Sequence, residues 1–181
     1  ATVGEILMER AGILNLGVEG AMLVGALAGF WVSMVTGSPW LGLAAAAGAG
    51  AVACLLHGAV CTYGQANQVV SGLALTILAT GLANFLGTPY VGLAAPGFDP
   101  ISIPGLREIP VLGPVFFAQD ILVYFSYILP LVTTVGLSHS RWGLRLRAAG
   151  ESPTACRAAG LSVARLRLGA CLVGGMLIGV G

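Results

Sequence analysis

The sequence contains no lysine, and between Glu19 and Asp99 it contains no charged residue at all. Without lysine no GxxxxGK[ST] loop exists, so the chain does not cradle ATP phosphates by that route. A run that long without Asp, Glu, Lys or Arg excludes an ordinary soluble domain, in which about a quarter of residues are charged. Here 8% of the 181 residues are charged and 57% are hydrophobic, the composition of an integral membrane protein. Cysteine pairs of the CxxC type are missing too. Cys54, Cys61, Cys156 and Cys171 read as free thiols with no disulfide framework. The opening "ATVGEILMERAG" has no basic stretch followed by an apolar one, so no cleavable signal peptide is expected in it. No Ser-His-acid set, HExxH or dense acidic cluster is present, so the sequence offers no enzyme active site. Strand-type alternation is absent, which favours helices over a membrane barrel.

What remains is a series of apolar segments. They predict an all-α, polytopic helical bundle crossing at 16–36, 41–62, 68–87 and 119–138, with a fifth crossing begun at 168. The fifth runs out at Gly181, short of the ~20 residues a crossing helix needs. The expectation is therefore a single transmembrane domain over 1–181, cut from a longer chain. Pro39 in "TGSPW" is expected to end helical hydrogen bonding between the first two segments, with Trp40 at the interface.

Two stretches break the apolar pattern. Residues 87–118 carry Pro89, Pro96, Pro100, Pro104, Pro110 and Pro114, which prevents a long helix and predicts a loop outside the hydrocarbon. Residues 139–167 carry Arg141, Arg145, Arg147, Arg157, Arg165 and Arg167 against one acid, Glu151. A short loop so basic stays in the cytoplasm. Counting back, 119–138 runs inward, 87–118 is extracytoplasmic, 68–87 runs outward, 41–62 inward and 16–36 outward.

Four motifs carry the functional reading. In "LNLGVEG", Gly17 and Gly20 interrupt a helix near its start, where Asn15 and Glu19 can cap free N–H groups. A charge at mid-bilayer costs roughly 2.5–3.5 kcal/mol, and a helix N-terminus returns ~2 at most. Glu19 must then have partners, lie near the interface or face water. It is either part of a structural polar knot or a pathway residue. In "YGQANQVVSG", Gln65, Asn67, Gln68 and Ser71 offer neutral donors and acceptors at a helix entry, suited to a polyhydroxyl or nucleobase ligand or simply to a cap. Asn15–Gly29 and Asn67–Gly81 echo one another weakly, as if two helices began alike. Cys54, His57 and Cys61 share a helix face, but they span about 10 Å along the axis, too far to converge on one ion. A packed histidine beside small thiols is the expectation. In "GESPTACRAAGLSV", Ser152 is a candidate N-cap, Pro153 the first helical residue, Arg157 the last turn and Gly160 the terminator of one short cytoplasmic helix. So short a helix must be held, either by its own protein or by a partner. The spacings Gly25-xxx-Gly29 and Gly175-xxx-Gly179 allow close helix contact.

Taken in order, "ERAGILNLGVEGAMLVGALAG", "ANQVVSGLALTILATGL" and "GLRLRAAGESPTACRAAGLSV" resemble the membrane-spanning permease subunits of bacterial ABC importers for nucleosides and simple sugars, of the branched-chain amino acid/ribose-type permease superfamily. The resemblance covers nearly the whole chain. It implies a multi-pass permease in the bacterial cell (inner) membrane, with broken central helices. It also implies a second homologous permease chain, a cytoplasmic ABC ATPase that binds ATP and Mg, and an extracytoplasmic substrate-binding lipoprotein. No cofactor and no nucleic acid is implied for this chain. By the resemblance, Glu151, Ser152, Pro153, Arg157, Ala158, Ala159 and Gly160 of the 139–167 coupling loop meet the ATPase, and Asn15, Glu19, Asn67, Gln68 and Ser71 border the translocation path. The chain departs from the family pattern in its shortness and in Ser152, where the pattern has Asn. The wording of "ANQVVSGLAL" is closer to nucleoside than to pentose permeases. An ion-coupled secondary transporter of a small polar solute, with Glu19 as its acid, is the alternative, and a non-transporting scaffold is a further one.

Overall fold

The computed structural model describes residues 1–98, 101–102 and 118–181. Its helices are α1 (Thr2–Arg10), α2 (Val18–Thr36), α3 (Pro39–Tyr63), α4 (Gln68–Gly87), α5 (Ile121–His139), α6 (Arg141–Glu151), α7 (Pro153–Ala158) and α8 (Val163–Val180). A 3₁₀ turn, Thr88–Tyr90, extends α4. A two-residue antiparallel pair, β1 (Ile101–Ser102) with β2 (Ala118–Gln119), joins the two ends of the proline-rich stretch. Most of that stretch, with Asp99, Arg107, Glu108 and four of its prolines, lies outside the described residues.

Five helices are long and apolar enough to cross a membrane: α2, α3, α4 with its 3₁₀ turn, α5 and α8. Glycine and alanine decide how they pack. Gly29 meets Gly42 between α2 and α3, and Ala46, Gly50 and Gly58 of α3 meet Gly179, Gly175 and Cys171 of α8. Such small residues let backbones approach where lipid supplies no hydrophobic driving force. The pairing order makes α3 antiparallel to both α2 and α8. Gly4 of α1 lies against Gly174 and Ile178, so α1 also opposes α8. Gly17 touches Gly72, Gly20 touches Thr76, and Gly87 lies beside Leu27, so α2 and α4 run parallel. The predicted alternation of directions is therefore present. It gathers Arg10 and the Arg141–Arg167 group at one end of the bundle, and residues 88–98 at the other. α5 stands at the edge and is the least buried of the five.

The structure corrects the sequence reading in three places. The fifth crossing starts at Val163 rather than 168 and has 18 helical residues. Ser162 caps it by accepting the Arg165 N–H, and Arg167 turns back to donate to the Ala11 carbonyl, so both arginines sit in the first turns of a helix. Pro39 opens α3 rather than ending α2, which stops at Gly37 in the left-handed conformation (φ 68°). The basic stretch holds two helices before α8, not one. Ser140 caps α6 through Gly143 N–H (2.9 Å), whereas Ser152 stands at the N-cap of α7 without a side-chain bond to its backbone. Pro153, Arg157 and Gly160 (φ 76°) take the positions expected of them. α1 was not anticipated.

Candidate functional site

Between α1 and α2 the chain leaves the helix from Ala11 to Gly17, inside the bundle. Every unpaired backbone group buried there costs on the order of 1–3 kcal/mol, and side chains from four helices take them up. Gln68 at the start of α4 accepts the Leu14 N–H through Oε1 (2.7 Å) and donates Nε2 to the Gly12 carbonyl (3.3 Å). His57 donates Nε2–H to the Leu14 carbonyl (3.1 Å). As a neutral imidazole it then accepts the Ser71 hydroxyl at Nδ1 (3.0 Å). Glu5 accepts the Asn15 N–H through Oε1 (3.0 Å), while its buried Oε2 has no hydrogen-bond partner among the described residues. Thr76 donates to the Leu16 carbonyl, and Arg167 to that of Ala11.

Asn15, 2% exposed, closes the knot. Its Oδ1 accepts the Gly17 N–H (2.8 Å) and its Nδ2 points at the Cys54 sulfur (3.5 Å). Asn67 does the same for α4, accepting the N–H groups of Val69 and Val70. The echo between the two segments is thus a shared asparagine turn at the mouth of two parallel helices. His57 is packed, as expected, and both its nitrogens are engaged.

Glu19 stands apart. It is exposed and α2 has no side-chain cap. It lines a cleft of about 650 Å³ that follows one face of α2, through Ala26 and Gly29 to Ser33, with α3 on its other wall. At the far end residues 95–98 fold across it. The Ser33 hydroxyl donates to the Pro96 carbonyl (2.8 Å), and Phe98 meets Trp40 edge-on with ring centroids 4.9 Å apart. Ser33→Ala should release this strap. Loss of one net hydrogen bond, about 0.5–1.5 kcal/mol, should raise the open fraction of the strap roughly 2- to 10-fold, read as the mobility of a spin label on Gly97→Cys, where nothing stands within 4 Å. Unchanged mobility would show that Ser33 does not hold it.

Of the five residues expected near a path, then, Glu19 alone lines the cleft. Asn15, Gln68 and Ser71 converge on the break, and Asn67 caps α4. Glu5, Thr76, Ser33 and Arg167 were not anticipated. Only Glu5, an acid next to an apolar run, carried any signal.

At the arginine end, away from residues 95–98, Cys156 (3% exposed) packs with Ala149 and Val163 and fixes α7 to α6 and α8. Glu151, Arg157, Ala158, Ala159 and Gly160 stay exposed, and Ser152 and Pro153 are half-buried. The short helix is thus held by its own protein on one side and free on the other. Cys156 is consequently a poor labelling site for sidedness; Thr154 or Ala155, both exposed, would serve as cysteine positions.

The family described as "Branched-chain amino acid transport system / permease component" matches residues 1–181. A protein of Haloferax volcanii named as a putative glucose ABC transporter permease is 39% identical over 183 residues, covering 99% of this chain and 56% of its own. A guanosine ABC transporter permease of Bacillus subtilis is 34% identical, and a nucleoside ABC transporter permease of Lactococcus lactis 32%; each covers 99% of this chain and 60% of its own. The chain thus spans a little over half the length of these curated relatives. No solved structure matches it.

Proposed function

Because the chain belongs to the branched-chain amino acid transport system / permease component family, we propose that it forms membrane-spanning walls of an ATP-binding-cassette importer that passes a nucleoside or simple sugar by alternating access. The observation that carries this reading is the cleft along α2. Its volume of about 650 Å³ falls among small-molecule sites, ~300–1,000 Å³, which are mostly apolar with a few polar groups. Its walls are apolar save for Glu19 and Ser33, which suits a ring with hydroxyls. Among the described residues Glu19 is its one charged side chain and a carboxylate, so phosphorylated cargo is disfavoured.

In this reading Glu19 faces the solute, and Asn15, Asn67, Gln68 and Ser71 border the path as the frame that keeps α2 and α4 in place. Glu151, Ser152, Pro153, Arg157, Ala158, Ala159 and Gly160 meet the ATPase. The partners are that ATPase, a second homologous permease and an extracytoplasmic binding lipoprotein. ATP and Mg bind to the ATPase, and this chain is not itself an enzyme. The arginine end faces the cytoplasm, in keeping with the positive-inside rule, and the membrane is the cell (inner) membrane. The test is uptake by the full-length protein with its partners in cells. Uptake should collapse on ATP depletion and survive an uncoupler. Glu19→Gln should retain ATP dependence while improving competition by a nucleoside monophosphate about 10-fold, the loss of one like-charge contact of ~1.4 kcal/mol. Uptake that follows the uncoupler instead would favour an ion-coupled carrier, and unchanged competition would remove Glu19 from the path.

A further inference from the structure

The coupling role accounts for α7 but leaves α6 without a purpose. We infer that α6 is seated on the membrane surface by the phosphates of anionic phospholipids, which Arg141 and Arg145 bind while Trp142 and Leu144 settle among the headgroups. This does not rest on the importer reading.

Depth comes first. α5 ends at His139, so Arg141 lies two residues beyond a helix long enough to cross. At 1.5 Å per residue, that is headgroup level. Direction comes second. Gly143 is pressed against Gly136 and Leu137 in the last turn of α5, and Gly150 against Arg10 and Gly12 at the end of α1. Both contacts lie at the same end of the bundle, so α6 runs across that end and not out from it.

The helix buries Gly143, Leu146 and Ala149 and leaves Arg141, Trp142, Leu144 and Arg145 exposed. Trp142 is 41% and Leu144 61% exposed. Neither Arg141 nor Arg145 has a hydrogen-bond or ion-pair partner among the described residues, and the one acid of the helix, Glu151, is at its other end. Two free guanidiniums beside a tryptophan and a leucine match a layer that is anionic above and apolar below. Arginine stems can lie along the apolar part while the heads reach phosphate, and tryptophan prefers that boundary. The exposed part of α7 has no aromatic and no bulky apolar side chain, so the two helices divide the basic end between lipid and protein.

The full-length protein tests this, with Trp31 and Trp40 changed to Phe so that Trp142 is the reporter within this segment, any tryptophan outside it being changed likewise. It is reconstituted in vesicles of phosphatidylcholine and phosphatidylglycerol, in which one or the other carries brominated chains at equal mole fraction. Brominated phosphatidylglycerol should quench Trp142 the more strongly. The preference should fall roughly fivefold for each arginine removed, the equivalent of ~1 kcal/mol, so that Arg141→Gln with Arg145→Gln abolishes it and Arg141→Lys with Arg145→Lys keeps it. Added salt should weaken the preference in the parent protein, a reading that stands even where the double variant does not reconstitute. Equal quenching by the two lipids, or none, would overturn the inference, the latter pointing to water or a protein partner over α6. Inorganic phosphate that removes the preference more effectively than sodium chloride at equal ionic strength would point to a free-anion site, and would overturn it too.

Discussion

Gly50→Ala and Gly175→Ala should each lower the melting temperature of the protein by about 5–10 °C, while Gly48→Ala and Gly169→Ala should leave it unchanged or slightly raised. All four glycines lie in α3 or α8, and alanine is the better helix former by about 0.8–1 kcal/mol at each. What separates them is what a new methyl would meet. At Gly50 it would lie 2.6 Å from Gly179 Cα and 2.7 Å from Gly179 N. At Gly175 it would lie 2.6 Å from the Gly50 carbonyl oxygen and 2.9 Å from Ala51 Cα. These are backbone atoms, so no rotamer change makes room and the helices must part. At Gly48 and Gly169 nothing stands within 4 Å. Overpacking costs ~1–3 kcal/mol or more, and for a chain of this size 1 kcal/mol moves the melting temperature ~2–4 °C. The four cysteines of this segment are buried, so in the full-length protein, cleared of any cysteines outside it, a thiol-reactive dye stays dark until the bundle opens. Equal melting of Gly50→Ala and Gly48→Ala would sink the claim that α3 and α8 touch through their backbones.

How much of this was legible in the sequence depended on whether a helix hides its charges. α4 could be read to the residue, because Asn67 stops the preceding turn and no charge interrupts the apolar run after it. α2, α3 and α5 were legible from their apolar runs to within about two residues. α1 could not be read, because Glu5, Glu9 and Arg10 make it look like a polar tail. Its burial depends on Gly4 and Met8 reaching α8, far away in sequence. The start of α8 was missed for a related reason: Arg165 and Arg167 resemble loop residues until Arg167 is seen bonded to Ala11. α6 had a readable face, Gly143, Leu146 and Ala149, beneath its three arginines. Asn15 and Gln68 stand out in the sequence as polar groups in an apolar setting. The partners of Gln68 are the distant backbone groups of Gly12 and Leu14, and Asn15 reaches Gly17 beside it and the Cys54 sulfur across the bundle; no local pattern specifies the distant pairings.

Gln68→Ala should loosen the break in the helix more than any other single change around it. Leu14 is held through both of its backbone groups, its N–H by Gln68 and its carbonyl by His57. Gln68 also holds the Gly12 carbonyl. Removing that amide strands one donor and one acceptor. The Leu14 N–H is exposed and loses ~1 kcal/mol, the part-buried Gly12 carbonyl ~1–3, so the sum is on the order of 3 kcal/mol, against ~1 for removing the exposed cap Asn67. Amide exchange across 13–17 should then rise about 100-fold for Gln68→Ala, with amides in the middle of α3 unaffected. Gln68→Glu separates the two bonds, since it keeps an acceptor for Leu14 N–H but loses the donor to Gly12, and should fall between. Ser71→Ala removes a bond to His57 rather than to the break, and should raise exchange less than 10-fold. The alternative source of rigidity is local: Gly12 already sits at φ 82°, a turn that glycine adopts unaided. Exchange at 13–17 unmoved by Gln68→Ala would mean that this turn alone keeps α1 and α2 apart, and that the side chains of α3 and α4 only rest against it.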